Sequence, residues 1–248
     1  MKRSRHPARL RGSLGALGAL GLIAVFGNLL SGVLLGQGSL AFAWTDGTRG
    51  TLAVAGLVLA VGFGVGMVAG AASALGPPLA DALLSRAMEI AGALPSVVVV
   101  VIVQALRPAP ELIAVGAVLA ALRGLATAKG VRAELLQLQA EDFVMAARAL
   151  GTTRARLFRK HLFPHVAGPS LASASLSAAA VVGLDAALSL AGFGTTSRTW
   201  GSLLAEAAAQ SAPAIALGPL IGVATTVASL LSIADAIEDR WSVGQSYV

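Results

Sequence analysis

The sequence predicts an all-α polytopic membrane protein: six transmembrane helices, with a cytoplasmic loop between the fourth and the fifth. Three observations lead there. The 248 residues are 56% hydrophobic and only 12% charged, whereas an ordinary soluble surface needs about 25% charged residues. Apolar runs of about 20 residues recur, each long enough as a helix to cross a hydrocarbon core about 30 Å thick, and their Leu, Ala, Val and Gly content suits helices better than the alternating strands of a β-barrel. Finally, of the 18 Lys and Arg residues, fifteen fall on one predicted side and only Arg49, Arg107 and Arg198 on the other. That asymmetry orients the chain with both termini in the cytoplasm.

Residues 1–13 form a basic cytoplasmic segment with five Lys/Arg, and residues 14–248 a single membrane domain. Helix one is expected over Leu14–Leu35. A cleavable signal peptide competes with it, because Ala41-Phe42-Ala43 resembles a cleavage site, but the apolar run exceeds the usual 7 to 15 residues of a signal core. Gln37–Gly50 reads as an outer loop. Helix two follows over Leu52–Leu75, where Gly62, Gly66 and Gly70 recur every four residues. Such a small-residue stripe lets another helix approach closely, either within the chain or from a second subunit.

Gly76-Pro77-Pro78 ends that helix, and Asp81, Arg86 and Glu89 mark a short inner loop. Helix three is expected over Ile90–Leu106, with Pro95 near its start, where a missing amide costs least. After a tight outer turn at Arg107–Pro110, helix four spans Leu112–Ala128. Its interior charge, Arg123, is placed near the cytoplasmic end, within snorkelling reach of water, and reads as structural. Val131–His165 is the long inner loop. Helix five covers Val166–Leu190, Gly192–Ser211 is an outer segment, helix six covers Ala212–Ile233, and a polar tail closes the chain.

Several chemistries have no residues to support them. None of the three lysines follows a glycine as a phosphate-binding loop requires, so ATP hydrolysis by that route is excluded, and no catalytic set or cofactor is expected. The chain has no cysteine. His161 and His165 stand four apart, but Pro164 lies between them and no carboxylate is near in sequence, so no metal site is expected. The basic residues sit at helix ends and in one loop, with only one tyrosine in the chain and no aromatic-basic surface, which argues against nucleic acid as a partner. Asp185 is the outstanding intramembrane acid, in the outer half of helix five, and must face protein or water. With Ser173, Ser177 and Ser189 it forms a partly polar stripe. This stripe either lines a solute path or holds a carboxylate hydrogen-bonded between helices.

The inner loop holds the densest charge. Between Glu141 and Pro164 it carries five cations, including Arg148, Arg154 and Arg159, with apolar residues at helical spacing. It reads as two short helices. Asp142 is expected to cap the first, whose face includes Phe143, Ala147 and Leu150, with Gly151 as its stop. Thr152 or Thr153 begins the second and Pro164 ends it. Phe143, Val144, Leu157, Phe158 and Phe163 would otherwise lack a partner surface, so the pair reads as a docking element.

At this loop the sequence resembles the permease subunits of ATP-binding-cassette importers, whose mark is EAA, three residues, Gly, nine residues, Ile, one residue, Leu-Pro. Met145-Ala146-Ala147, Gly151, His161 and Phe163-Pro164 stand at those places with matching spacing. Three identities differ: Met145 for glutamate, His161 for isoleucine and Phe163 for leucine. A narrower similarity is to dipeptide, oligopeptide and nickel permeases of the DppC, OppC and NikC type. It is carried by Arg132–Leu135, Asp142–Val144, Ala146–Gly151, Leu188–Gly194 and Trp200–Ser202, and extends from about Thr51 to Arg240. The resemblance implies half of a pore in a bacterial plasma membrane for a peptide or nickel chelate, paired with a homologous permease subunit. It further implies two ATPase subunits beneath the pair of permeases, one of them docked on the paired short helices of 142–163, and an extracytoplasmic binding protein. The residues leave two other classes open: a proton-coupled secondary transporter using Asp185, and a scaffold whose basic loop binds anionic membrane lipid.

Overall fold

The computed structural model describes residues 12, 14, 15, 17–19, 22, 40–106, 111–211 and 213–245. Among them the order is α1 (Leu40–Leu75), α2 (Pro78–Ala93), α3 (Ser96–Leu106), α4 (Leu112–Leu138), α5 (Asp142–Ala149) and α6 (Arg154–Leu157), then a π-helical turn (Phe158–Leu162). α7 (Phe163–Leu190), α8 (Trp200–Ala209) and α9 (Pro213–Gln245) follow, and no strand occurs. Most of the expected first helix and the Arg107–Pro110 turn lie outside the described residues, whereas Ala41-Phe42-Ala43 falls within α1.

Among the described residues four helices are long and apolar enough to cross a membrane, at Ala43–Leu75, Leu112–Leu138, Phe158–Leu190 and Ile215–Trp241, while α2 and α3 form a pair bent by 88°. The expected straight third helix over 90–106 is therefore corrected. Pro95 disfavours helical geometry in the residue before it, and Leu94 is extended at φ −80°, ψ 117°. α3 keeps 11 residues, about 16 Å of rise, roughly half a hydrocarbon core.

The glycine stripe explains how that pair still serves as one crossing. A Cβ built on Gly66 would stand 2.7 Å from Thr127 Cγ2, and one on Gly70 2.6 Å from Val131 Cβ. A Cβ on Gly124 would likewise stand 2.8 Å from Val65 and 3.3 Å from the Gly62 carbonyl. Contacts climb together along both helices, so α1 and α4 run parallel, back to back through small residues. Parallel neighbours require the intervening chain to return over the same height, and α2 with α3 makes that return. Gly66 and Gly70 thus pack within the chain, whereas a Cβ on Gly62 would meet nothing within 4 Å and only its carbonyl approaches Gly124.

Apolar side chains bury in two main layers. Val58, Leu119, Ala120, Val181 and Val182 fill the middle of the bundle. Met67, Val131, Leu135, Val144, Leu157, Leu162 and Val166 fill its inner end. Element ends depart from expectation in one direction. The outer loop expected at 37–50 is helical from Leu40, α4 continues to Leu138, α7 begins at Phe163, α9 continues to Gln245, and the segment 192–211 contains α8. Hydropathy marks the apolar height, whereas the backbone hydrogen-bond ladder continues through polar residues beyond it.

Candidate functional site

The loop expected on the cytoplasmic side begins where α4 ends. Glu141, extended at φ −72° and ψ 143°, is the residue before α5 and offers no side-chain cap. Asp142 is instead the first helical residue, where a negative charge complements the helix dipole, which corrects its expected capping role. The helix stops as expected. Gly151 has φ +78°, its N–H donates to the Arg148 carbonyl at 2.9 Å, and the Thr152 N–H donates to the Ala147 carbonyl at 3.1 Å. This paired bonding closes a helix through a left-handed glycine.

Pro164 does not end the second element, contrary to expectation. The Phe163 N–H donates to the Phe158 carbonyl in a wider π turn, and the chain continues directly into α7, with Pro164 near its start. The wider turn accommodates a residue that has no N–H and whose ring would crowd the preceding turn. Both histidine rings lie against Phe143, His161 at 6.5 Å and His165 at 5.8 Å between centroids. Phe158 and Phe163 meet edge to face at 6.0 Å. Among the described residues no cluster of three His, Cys, Asp or Glu could hold a metal ion.

The apolar face of the loop is largely covered by the chain itself, which overturns the premise that it lacks a partner surface. Val144, Leu157 and Leu162 are buried, and Ala147 and Phe158 partly so, against Met67, Val131, Leu135 and Val166. What faces outward is a different stripe: Asp142, Met145, Ala146 and Ala149, all exposed and spaced as one helical face. Leu150 is 87% exposed just beyond it. Arg148, Arg159, Lys160 and Pro164 are also exposed, while Phe143 and Phe163 straddle the boundary. Arg154 opens α6. The loop is thus a platform anchored on one side and open on the other.

Polar links anchor that platform to three helices. Arg148 Nη2 donates to Gln139 Oε1 at 2.9 Å, and Gln139 Nε2 donates to the Ala74 carbonyl at 3.1 Å. Beside them Arg132 forks onto Asp81, Nε to Oδ1 at 2.7 Å and Nη2 to Oδ2 at 2.8 Å, with Ser73 and Ser85 donating to the same carboxylate. The guanidinium and then the Ser73 hydroxyl hold the Asp81 carboxyl well below the usual carboxylate range. α1, α2, α4 and α5 are thereby tied at their inner ends.

At the other end the Asp185 carboxyl is turned toward the start of α8. Thr199 caps α8 in a reciprocal pair with Ser202, at 3.2 Å and 2.9 Å, and its side chain neighbours the carboxyl. A Cβ on Gly201 would stand 2.8 Å from Ala186 Cα and 2.9 Å from Asp185 Oδ2. Only glycine allows that approach. The Trp200 N–H donates to Thr51 Oγ1 at 3.0 Å, and its indole lies on Gly222. A cavity of about 20 Å³, room for about one water, lies between Asp185, Val54, Val115, Gly116 and Thr195. The four polar residues of the α7 stripe therefore do not share one environment: Ser173 Oγ lies 3.3 Å from Thr127 Oγ1, Ser177 is half-buried, Asp185 meets α8, and Ser189 is buried.

Residues 62–243 match the family described as "Binding-protein-dependent transport system inner membrane component". The chain belongs to that family. A putative peptide permease protein of Brucella ovis is 32% identical over 172 residues, 68% of this chain and 57% of that protein. The oligopeptide transport system permease protein OppC of Haemophilus influenzae is 28% identical over 71% of this chain and 57% of its own length. The dipeptide transport system permease protein DppC of Alkalihalophilus pseudofirmus is 31% identical over 64% of this chain and 53% of its own. The chain thus spans somewhat more than half the length of these relatives. For this member of the transport family, the matched stretch runs from the glycine stripe through the platform and Asp185 to α9, joining both ends of the bundle in one unit.

One residue that sequence reasoning set aside changes its place. Because α4 continues to Leu138, Arg123 no longer stands near a helix end, and its Nε is buried without a hydrogen-bond partner. The available signal was the helical continuation through Lys129–Gln137, which charge alone disguised as loop.

Proposed function

We propose that this chain is the permease subunit of an ATP-driven importer, forming half of a transmembrane path for peptides. Family membership supports the transport class, and the relatives named as peptide, oligopeptide and dipeptide permeases support the solute class. The observation that carries the coupling is the platform: a helix buried on Val144 and Ala147 that leaves Asp142, Met145, Ala146 and Ala149 open to water. That stripe, flanked by Arg148, Arg154 and Arg159, is where one of two ATPase subunits docks. A homologous permease forms the other half of the path and an extracytoplasmic protein delivers the solute. Both termini face the cytoplasm, in keeping with the distribution of Lys and Arg.

Movement of a docked ATPase pulls a stiff block. The Val144 layer, the Gln139 relay and the Arg132–Asp81 fork pass the displacement to α1, α2 and α4, while the unbroken run from α6 into α7 carries it to the fourth long helix. Access exchanges sides as this block rocks. The proton-coupled alternative finds no support in the surroundings of Asp185, whose carboxyl is engaged at the start of α8. A radiolabelled dipeptide offered to membrane vesicles containing the assembled complex tests the reading. Uptake is expected to require ATP, to persist with a protonophore, and to vanish on Ala146→Arg. Uptake driven by a proton gradient without ATP would overturn it.

A further inference from the structure

The parallel packing of α1 and α4 fixes the height of Arg123. Gly124 lies against Gly62 and Val65, so Arg123 is level with Gly62 on α1. From there the uncharged stretch Thr51–Leu75 extends about 16 Å outward and about 20 Å inward, at about 1.5 Å per residue. Arg123 is therefore rooted at the middle of the apolar layer. A cation there is costly unless it faces protein or water.

Its surroundings on α7 follow from two contacts. Thr127 on α4 meets Ser173 on α7, and nearer the outside Val115, Gly116 and Leu119 share a cavity with Leu184, Asp185 and Leu188. As one helix is read inward the other is read outward, so Arg123, one turn above Thr127, is level with Ser177. The Thr127 hydroxyl is turned back to the Arg123 carbonyl at 3.1 Å. Arg123 is half-buried, its Nε lacks a partner, and no described acid pairs with it: Asp185 is about 12 Å higher, and Asp81 is taken by Arg132.

On the same face, inward of Arg123, the exposed residues are Ala126, Gly130, Ala133 and Gln137, small or uncharged polar. α3, by contrast, exposes Val97, Val98, Ile102 and Leu106, the bulky aliphatic surface that suits lipid. We propose that Arg123 is an anion-binding point midway along the translocation path, taking a carboxylate of the solute beside the hydroxyls of Ser173 and Ser177. A guanidinium offers two parallel N–H donors to a carboxylate, a geometry a lysine does not reproduce. This inference rests on the permease reading for the existence of the path.

The chain contains no cysteine, so Ser177→Cys places a single thiol of near-identical size one level from the guanidinium. In the assembled transporter with cysteine-free partners, the rates of modification by anionic and cationic thiosulfonates are compared. The anionic reagent is expected to react at least tenfold faster. Adding Arg123→Gln should bring the ratio near one, and Arg123→Lys should preserve it. Failure of the anionic reagent to react, or a ratio indifferent to Arg123→Gln, overturns the inference. Dialanine uptake, measured in parallel, should fall at least tenfold in Arg123→Gln and in Arg123→Lys; unchanged uptake in both overturns the inference. If the unsubstituted transporter does not take up dialanine while the reagent ratio holds, the peptide reading falls and the anion site stands.

Discussion

The two ends of the bundle are held together in opposite ways. At the inner end a buried aliphatic layer and a charged relay fix α5 from one side, leaving its other face open. At the outer end α8 is drawn in on itself, with Thr199 capping, Gly201 against Ala186 and Asp185, and Trp200 against Thr51 and Gly222. The inner end presents a surface and the outer end closes one. On the proposed function, the contrast separates residues whose loss harms contact with a partner from residues whose loss harms the fold.

The largest effect is expected from Ala146→Arg on the open stripe. A bulky cation there should abolish ATP-dependent uptake, because misplaced charge at a docking surface costs several kcal/mol. Thermal stability should change by less than about 0.5 kcal/mol, and a matching loss of melting temperature would erase the distinction drawn above. Ala147→Arg, one residue on but turned inward, should lower stability as well as uptake. Gly201→Val at the outer end should lower stability by about 3 kcal/mol, since its Cβ collides with backbone that cannot move aside. Thermal unfolding in detergent measures this. Gly151→Ala should cost about 1 kcal/mol through the left-handed backbone it must adopt, with nothing to clash against.

The smallest effect concerns the Asp81 fork. A carboxyl held below its ordinary value contributes stability that is present above the unfolded value near 3.9 and lost as pH falls further. The melting temperature of the unsubstituted protein should thus exceed that of Asp81→Asn by a few degrees at neutral pH, and the gap should narrow as pH drops below about 4. A gap independent of pH would remove the fork from the list of inner-end anchors.

Much of this was legible in the residues. The apolar runs gave the membrane class, Gly151 gave the end of α5, and the Gly62, Gly66 and Gly70 spacing gave a close helix contact. Val144 shows why the loop was only half legible. One-dimensional spacing separates two faces of a helix, but it cannot say which face meets the chain and which meets a partner. Pro164 misled for a related reason, since a proline ends an ideal helix but is accommodated when a π turn precedes it.

Composition and the recurring apolar runs by themselves determined that this chain is a helical membrane protein, because burying backbone in lipid and crossing 30 Å leave few alternatives. Only the tertiary structure decided that α1 and α4 are parallel, that the bent pair returns the chain between them, which stripe of α5 faces out, and that Arg123 stands at mid-height. Those facts depend on which distant residues meet, and contacts between helices are set by packing that no single stretch encodes.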